Sequence, residues 1–422
     1  MENSRARKLK QVPGGYLLVG VDPHKKKHAA VVMSQDLVIH GRFKVVNSRQ
    51  GYEELLERAR SHMVATGSRG VMFAIETGGH FWRNLAYFLE GRGIPYRLIN
   101  AFTLKRRREG KDLNRRKNDF RDAEVGAELL RTGEFTETRL PQGPYADLRA
   151  AHNAYRRLVK ERARITNLLK GLLDGLFPEF THVFKDPCGQ TALTVLFLCP
   201  VPGVIAAMQQ EEFINTVEAG FQGQRLMKRK LGELYRSART SIGIEAGARA
   251  VSLELSLLAE RLRVINEQVR RAVEVMVKLV DSVEEGKYLL SIRGLNYVSV
   301  AGIVAELGSF RSYRNAKQLV KMAGTNPTES ESAGKRASHT PMSKKGRPGL
   351  RYCLWAAIIP MLCHNPDFRS WAKRLRERPA HANPLNGREV IGAAINRLLR
   401  LCYTLVKKQT LYRMPELAEV AR

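Results

Sequence analysis

YLLVGVDPHKKKHAAVVM, residues 16–33, is an apolar run, one aspartate, a short basic turn and a second apolar run. Val19, Val21, Val31 and Val32 are β-branched, and Pro23 interrupts the pattern between them. The stretch predicts a β-hairpin with Asp22 at the end of its first strand. A carboxylate there stands on rigid backbone at a sheet edge, where a metal ion can be held. The same residue also reads as a turn-forming aspartate before proline, so its neighbours must decide.

Working outward, residues 37–46 predict a third strand. Residues 50–65 predict a helix with Tyr52, Leu55, Leu56 and Ala59 on one face. Residues 71–75 are a short buried strand that ends on Glu76, followed by TGGH. Residues 81–92 are a helix with Trp82, Leu85, Phe88 and Leu89 inward, and 95–99 a further strand. The order β-β-β-α-β-α-β is that of a mixed α/β sheet with helical crossovers.

Next comes KRRREGKDLNRRK, residues 105–117, nearly all basic and polar. It reads as a solvated loop or, beside the carboxylate edge, as a phosphate grip through Lys105, Arg106, Arg107, Arg108, Arg115, Arg116 and Lys117. NDFRDAEVGAELLR follows, a helix capped by Asn118 or Asp119. Asp119 and Asp122 lie three apart on one face. They also suit the positive end of the helix dipole. Asp22, Glu76, Asp119 and Asp122 converging on one sheet edge would repel each other unless divalent cations neutralised them. Hard oxygen ligands suit Mg²⁺ or Mn²⁺. Two such ions can activate a nucleophile and stabilise the leaving oxygen of a phosphodiester.

The 422-residue chain is long enough for two or three domains. Its 71 Lys and Arg against 41 Asp and Glu give a net charge of +30. A surplus of that size points to a polyanion, nucleic acid before an anionic membrane surface, because neutralising phosphates releases counterions. No segment reads as a bilayer span: the most apolar window, 192–208, is short and holds Pro200, Pro202 and Gly203. The basic N-terminus has no apolar signal-peptide core behind it. Cys188, Cys199, Cys353, Cys363 and Cys402 are odd in number, widely spaced and without CxxC pairing. That expects a reducing cytoplasm and argues against zinc or a disulfide framework.

Beyond residue 145 the pattern changes. Leu148, Ala151, Tyr155, Leu158, Ile165, Leu169, Leu172 and Leu176 follow three-four spacing, as do Leu258, Leu262, Ile265, Val269, Ala272, Met276, Leu279 and Val283. Two long helices over 145–286 predict an antiparallel hairpin within one chain or an oligomeric coiled coil. Residues 178–247 between them read as an irregular insertion punctuated by proline and glycine. SIRGLNYVSVAGIVAELGSF, residues 291–310, is helix-hairpin-helix-like, with Gly294 at a turn whose amides can approach a phosphate. After a helix at 316–323, a Gly-, Ser- and Thr-rich loop leads into a basic stretch, 335–351. Lys335, Arg336, Lys344, Lys345, Arg347 and Arg351 are its candidate nucleic-acid contacts. Helices at 352–363 and 388–408 close the chain.

VGVDPHKKKHAAVV, FAIETGGHFWRNLAYFL, RRKNDFRDAEVGAELL, SIRGLNYVSVAGIVAELG and SAGKRA…SKKGRPGLR, in this order, resemble the DEDD transposases of the IS-one-hundred-ten type, relatives of Piv-like DNA invertases. The resemblance spans nearly the whole chain. Residues 1–15 read as a flexible basic lead-in; the resemblance implies an RNase H-like (RuvC-like) domain (16–140) before the long-helix region and a mainly α C-terminal transposase domain (287–422) after it. It implies that Asp22, Glu76, Asp119 and Asp122 are the metal-binding acids. The family's nucleophilic serine matches Ser332 in ESESAGKR, with Ser330 as neighbouring competitor and Ala333 where glycine is usual. The implied chemistry is attack by Ser332 on a DNA phosphate, giving a phosphoserine link, with strand exchange following. The family further implies paired subunits, double-stranded DNA as substrate, and guidance by a structured RNA of the same element. A metal-dependent junction-resolving endonuclease that uses water is the competing function. A non-catalytic nucleic-acid-binding protein is a third.

Overall fold

The computed structural model describes residues 4–111, 118–137, 140–328, 331–332, 335–336, 341–379 and 384–414. The chain divides into two compact units, Met1–Leu140 and Pro141–Arg422.

In the first unit a short helix α1 (Ser4–Leu9) precedes strands β1 (Tyr16–Asp22), β2 (Lys27–Met33) and β3 (Ile39–Val46). Helix α2 (Arg49–Ala65), strand β4 (Gly70–Glu76), helix α3 (Trp82–Gly91) and strand β5 (Tyr96–Ile99) follow, then helices α4 (Ala101–Lys111) and α5 (Asp119–Arg131). The sheet order is β3-β2-β1-β4-β5. β1 pairs antiparallel with β2 and parallel with β4, and β4 pairs parallel with β5. The alternating order expected from the hydrophobic pattern is therefore present, as a mixed five-stranded sheet.

Strand alternation sorts side chains to two faces. Leu17, Val19, Val21, Phe73 and Ile75 pack with Tyr52, Leu55 and Leu85 from α2 and α3. Leu18, Met72 and Ala74 face the other way, with Val125 and Leu129 of α5. Gly20 lies on that second face. A Cβ there would sit 1.8 Å from the carbonyl oxygen of Ala123, so only glycine lets α5 lie this close to β1. The basic block does not begin as a loop: its first residues continue α4 through Lys111, and residues 112–117 lie outside the described residues.

The second unit is built on two rods, α6 (Pro144–Leu176) and α12 (Ala248–Asp281). The Ile244 amide near the start of α12 donates to the Gly175 carbonyl at the end of α6, so the rods run antiparallel within one chain. The stretch between them is not irregular. It folds into α7 (Phe180–Val183), α8 (Gln190–Leu198), α9 (Pro202–Ala207), α10 (Gln210–Ala219) and α11 (Lys228–Ala238). These helices share a core of Phe180, Phe184, Leu193, Leu196, Phe213 and Leu231 with Leu169 and Leu173 of α6 and Leu258 and Leu262 of α12. Pro202 starts a helix here rather than ending order: it occupies the first turn of α9.

A second core gathers around α13 (Glu284–Leu290), α14 (Tyr297–Leu307), α15 (Ala316–Ala323), α16 (Pro348–His364), α17 (Pro366–Arg376) and α18 (Gly387–Lys408). The Gly294 turn between α13 and α14 is present, with φ of 102°. A Cβ there would meet Met361 of α16 at 3.0 Å, so the glycine serves helix packing. Among the described residues no helix is long and apolar enough to cross a membrane.

Candidate metal centre and nucleic-acid surface

Asp22 and Glu76 end adjacent parallel strands. Val21 pairs with Ile75, so the two acids stand side by side one residue further on, both on the α5 face. Asn118 caps α5 by accepting from the Phe120 amide. That cap starts the helix so that Asp122 falls one residue before Ala123, the backbone seated on Gly20. One carboxylate oxygen from each of Asp22, Glu76 and Asp122 lies within 4.8 Å of the others. Asp22 is 6% and Asp122 3% exposed.

Burial pushes the Asp22 carboxyl above its ordinary value of 3.8, and the Asp122 charge adds to the rise; His24 and a hydrogen bond with Glu76 act against it. Three carboxylates in so little water are unfavourable by themselves. They are matched to a hard divalent cation: ligands across an octahedral ion with bonds of 2.0–2.1 Å stand about 4.2 Å apart. The donor set is all oxygen, two of its members are buried, and its oxygens lie within 4.8 Å of one another.

Asp119 turns another way. Its carboxylate takes Lys44 Nζ at 2.8 Å and lies 3.4 Å from His24 Nε2. His24 Nε2 is also 3.0 Å from Asp22 Oδ2, and Asp22, His24 and Asp119 form a second close group of donors. Neither His24 nor Lys44 is in the set that sequence reasoning selects. The signal for Lys44 is alternation: Phe43 and Val45 are buried on one face of β3, which sends Arg42 and Lys44 to the face of the acids. The signal for His24 is its place in the turn, two residues after Asp22.

The predicted phosphate contacts divide. Lys105, Arg106 and Arg107 are exposed on α4, with the Arg106 guanidinium 4.4 Å over the Phe102 ring. Arg108 is not part of that surface. Its Nη1 lies 2.5 and 2.6 Å from the two oxygens of Asp122, because one turn of α4 carries it inward over α5. Arg115, Arg116 and Lys117 lie outside the described residues. Lys344 and Lys345 are exposed. Arg347 and Arg351 are committed within the fold: Arg347 Nη1 donates to the Glu306 carbonyl, and Arg351 Nη1 to that of Ala323 at 3.0 Å.

The serine stretch is a ribbon. β6 (Glu331–Ser332) and β7 (Lys335–Arg336) pair antiparallel, with Ser332 opposite Lys335. Only the backbone is described there, and Ser330 and Ala333 lie outside the described residues. The base of the ribbon is tied by the Thr328 amide donating to the Pro341 carbonyl at 2.9 Å and the Ser343 amide to Asn326 at 2.9 Å. Thr325 anchors it to α18 through Asn396, at 2.6 Å.

Residues 19–178 match a family described as Transposase, of the DEDD IS110 type, and residues 286–372 match the Transposase IS116/IS110/IS902 family. The 44.8 kDa protein of insertion element IS116 from Streptomyces clavuligerus is 23% identical over 374 residues, covering 87% of this chain and 90% of that protein. A Streptomyces coelicolor protein named as the mini-circle transposase for IS117 is 24% identical over 375 residues, 85% of this chain and 87% of its own. A protein of Pseudomonas aeruginosa named as a family 20 transposase is 23% identical over 349 residues, 81% of this chain and 86% of its own.

Proposed function

This chain belongs to the IS110-type transposases, and we propose that its acid cluster and Ser332 cut and rejoin the DNA strands of a mobile element through a covalent phosphoserine link. The observation that carries the reading is the close trio of Asp22, Glu76 and Asp122, two of them buried, at the ends of two strands and on the facing helix. The sheet order β3-β2-β1-β4-β5, with acids at its edge, supports an RNase H-like reading of the first unit. Asp22, Glu76, Asp119 and Asp122 hold Mg²⁺ (or Mn²⁺). When bound, such a cation polarises the scissile phosphate and eases deprotonation of the attacking hydroxyl.

The residues then have separate tasks. Ser332 Oγ attacks the phosphorus of a DNA strand. The P–Oγ bond forms as the bond to the 3′-oxygen breaks, and the serine proton ends on that 3′-oxygen. Attack by the 3′-hydroxyl of another strand reverses the step: the new phosphodiester forms, the P–Oγ bond breaks and the serine regains a proton. Bonds are exchanged one for one, so no nucleotide hydrolysis is needed. Lys105, Arg106, Arg107, Lys344 and Lys345 grip the DNA backbone or a structured guide RNA from the same element, which the charge of +30 suits. The active assembly is a homo-oligomer in which acids of one copy meet the serine of another.

The test is to incubate the protein with double-stranded DNA carrying the element's ends, its RNA and Mg²⁺, and to look for protein joined to DNA. The wild type is expected to form an adduct on Ser332, mapped by mass spectrometry. Ser332→Ala and EDTA are each expected to abolish it. Cleavage by Ser332→Ala at the wild-type rate would instead establish the water-using junction endonuclease.

A further inference from the structure

We infer that His24 is a nitrogen ligand of the divalent-cation site, acting with Asp22 and Asp119, and that it biases this part of the site away from Mg²⁺ towards first-row transition cations. The inference rests on the metal reading of the acid cluster and adds a ligand to it.

Three observations carry it. The first is placement. His24 Nε2 stands 3.0 Å from Asp22 Oδ2 and 3.4 Å from Asp119 Oδ1. Adjacent ligands of an octahedral cation with bonds of 2.0–2.1 Å are about 3.0 Å apart. The ring nitrogen is already at ligand spacing from two oxygens on separate elements. The second is support. The His24 amide donates to His28 Nδ1 at 3.1 Å, and Asn47 Nδ2 reaches the His24 carbonyl at 3.5 Å. His28 is itself fully buried and stacked on Tyr52. The turn after Asp22 is therefore held from the core side, as a ligand-bearing loop needs to be. The third is division of the acids. Asp22 belongs to both donor groups, one with Glu76 and Asp122 and one with His24 and Asp119. The first group is all oxygen; the second contains an imidazole. Mg²⁺ takes nitrogen ligands poorly, and imidazole binds better along the first transition row.

A histidine that merely ion-pairs with two carboxylates would occupy the same position. Metal spectroscopy separates the two roles. The experiment uses the full-length protein with Mn²⁺ as the probe, read by electron spin echo envelope modulation and by equilibrium binding. The wild type is expected to show nitrogen modulation on bound Mn²⁺ that shifts when its histidines carry ¹⁵N. His24→Ala and His24→Gln are each expected to abolish the modulation, to weaken Mn²⁺ binding about tenfold or more, and to narrow the preference for Mn²⁺ over Mg²⁺. Circular dichroism confirms that both variants are folded. Nitrogen modulation that persists in both variants, or is absent from the wild type, overturns the role of His24. If Asp22→Asn still abolishes Mn²⁺ binding in that case, the acid site stands without it. If Asp22→Asn binds Mn²⁺ as tightly as the wild type, the acid site fails and the ligand role falls with it.

Discussion

Each unit buries a carboxylate, and the two burials differ in kind. In the second unit Glu285 is 0% exposed. It accepts from the Tyr145 hydroxyl at 2.7 Å, from Ser309 Oγ at 3.1 Å and from the Phe310 amide at 2.9 Å. No donor is wasted, and the acid ties the start of α6 to the turn after α14. Burial first, and then the bond to Glu285, push the Tyr145 hydroxyl up to about 12, so it stays a donor across the ordinary range. In the first unit Asp22 faces Glu76 and Asp122, and burial, with the Asp122 charge adding to it, raises its carboxyl above the usual value. A carboxylate surrounded by donors holds a fold together. A carboxylate surrounded by carboxylates is an arrangement a fold tolerates for the sake of a cation. Burial alone does not separate the two; the neighbours do.

The sharpest break of that comparison is Asp122→Asn. DNA joining is expected to fall by about 100-fold or more, as when a metal site loses a ligand. The melting temperature should change little, because the like charge beside Asp22 is gone while the Arg108 pair is weakened with it. A variant that unfolds instead would place Asp122 with Glu285 as a structural acid. Gly20→Ala comes next. Its Cβ would lie 1.8 Å from the Ala123 carbonyl, so α5 must move off β1. Denaturant unfolding should show a loss of about 1–3 kcal/mol, with metal binding impaired alongside. Glu285→Gln should reverse the pattern of Asp122→Asn. It leaves buried donors less well matched and costs about 1–3 kcal/mol, while joining activity at a permissive temperature is kept.

The pH response sharpens the same contrast more gently. The Asp22 carboxyl is raised in the folded protein, so its contribution to stability is fully present below the ordinary value of 3.8 and is lost as pH rises through its folded value. Asp22→Asn should therefore raise the metal-free melting temperature near neutral pH, and that gain should shrink on acidification towards 3.8. A gain that grows on acidification would mean that Asp22 is stabilised as an anion. The smallest effect is expected from Lys44→Ala. Its pair with Asp119 is part-exposed, and its loss should change stability by no more than about 1 kcal/mol.

Much of the sheet is legible in the sequence because short apolar runs bounded by turn residues are a strong signal. Tyr16–Met33 and Gly70–Glu76 carry it in β-branched and apolar residues with an acid at or beyond the last one. The i and i+3 spacing of Asp119 and Asp122 is legible too. What is not legible is that the two part company: Asp122 goes in towards Asp22, while Asp119 meets Lys44 and His24 from elements far away in the chain. Arg108 reads as one cation in a basic block, and only the crossing of α4 over α5 shows it to be a partner of Asp122. The helices between the rods are hidden for another reason. They run from 4 to 11 residues, too short to establish a period, and their apolar residues make sense only when all five are packed together. In the basic stretch at 335–351, composition does not distinguish a lysine left to solvent from Arg347 and Arg351, which fasten backbone carbonyls.

The paired rods have a consequence for how the second unit comes apart. At 33 and 34 residues each is about 50 Å long. In α6 no residue between His152 and Ile165 is buried, and in α12 none between Ile265 and Met276. Arg261 of α12 reaches Glu161 of α6, which sets the register, so these lean segments are staggered and overlap only near residues 153–156 and 266–269, a short waist. On one side lies the core around Phe180 and Phe213, on the other the core around Phe310 and Leu354. A waist with little apolar burial transmits little cooperativity. Amide hydrogen exchange should resolve two blocks of protection in this unit, each opening with its own free energy.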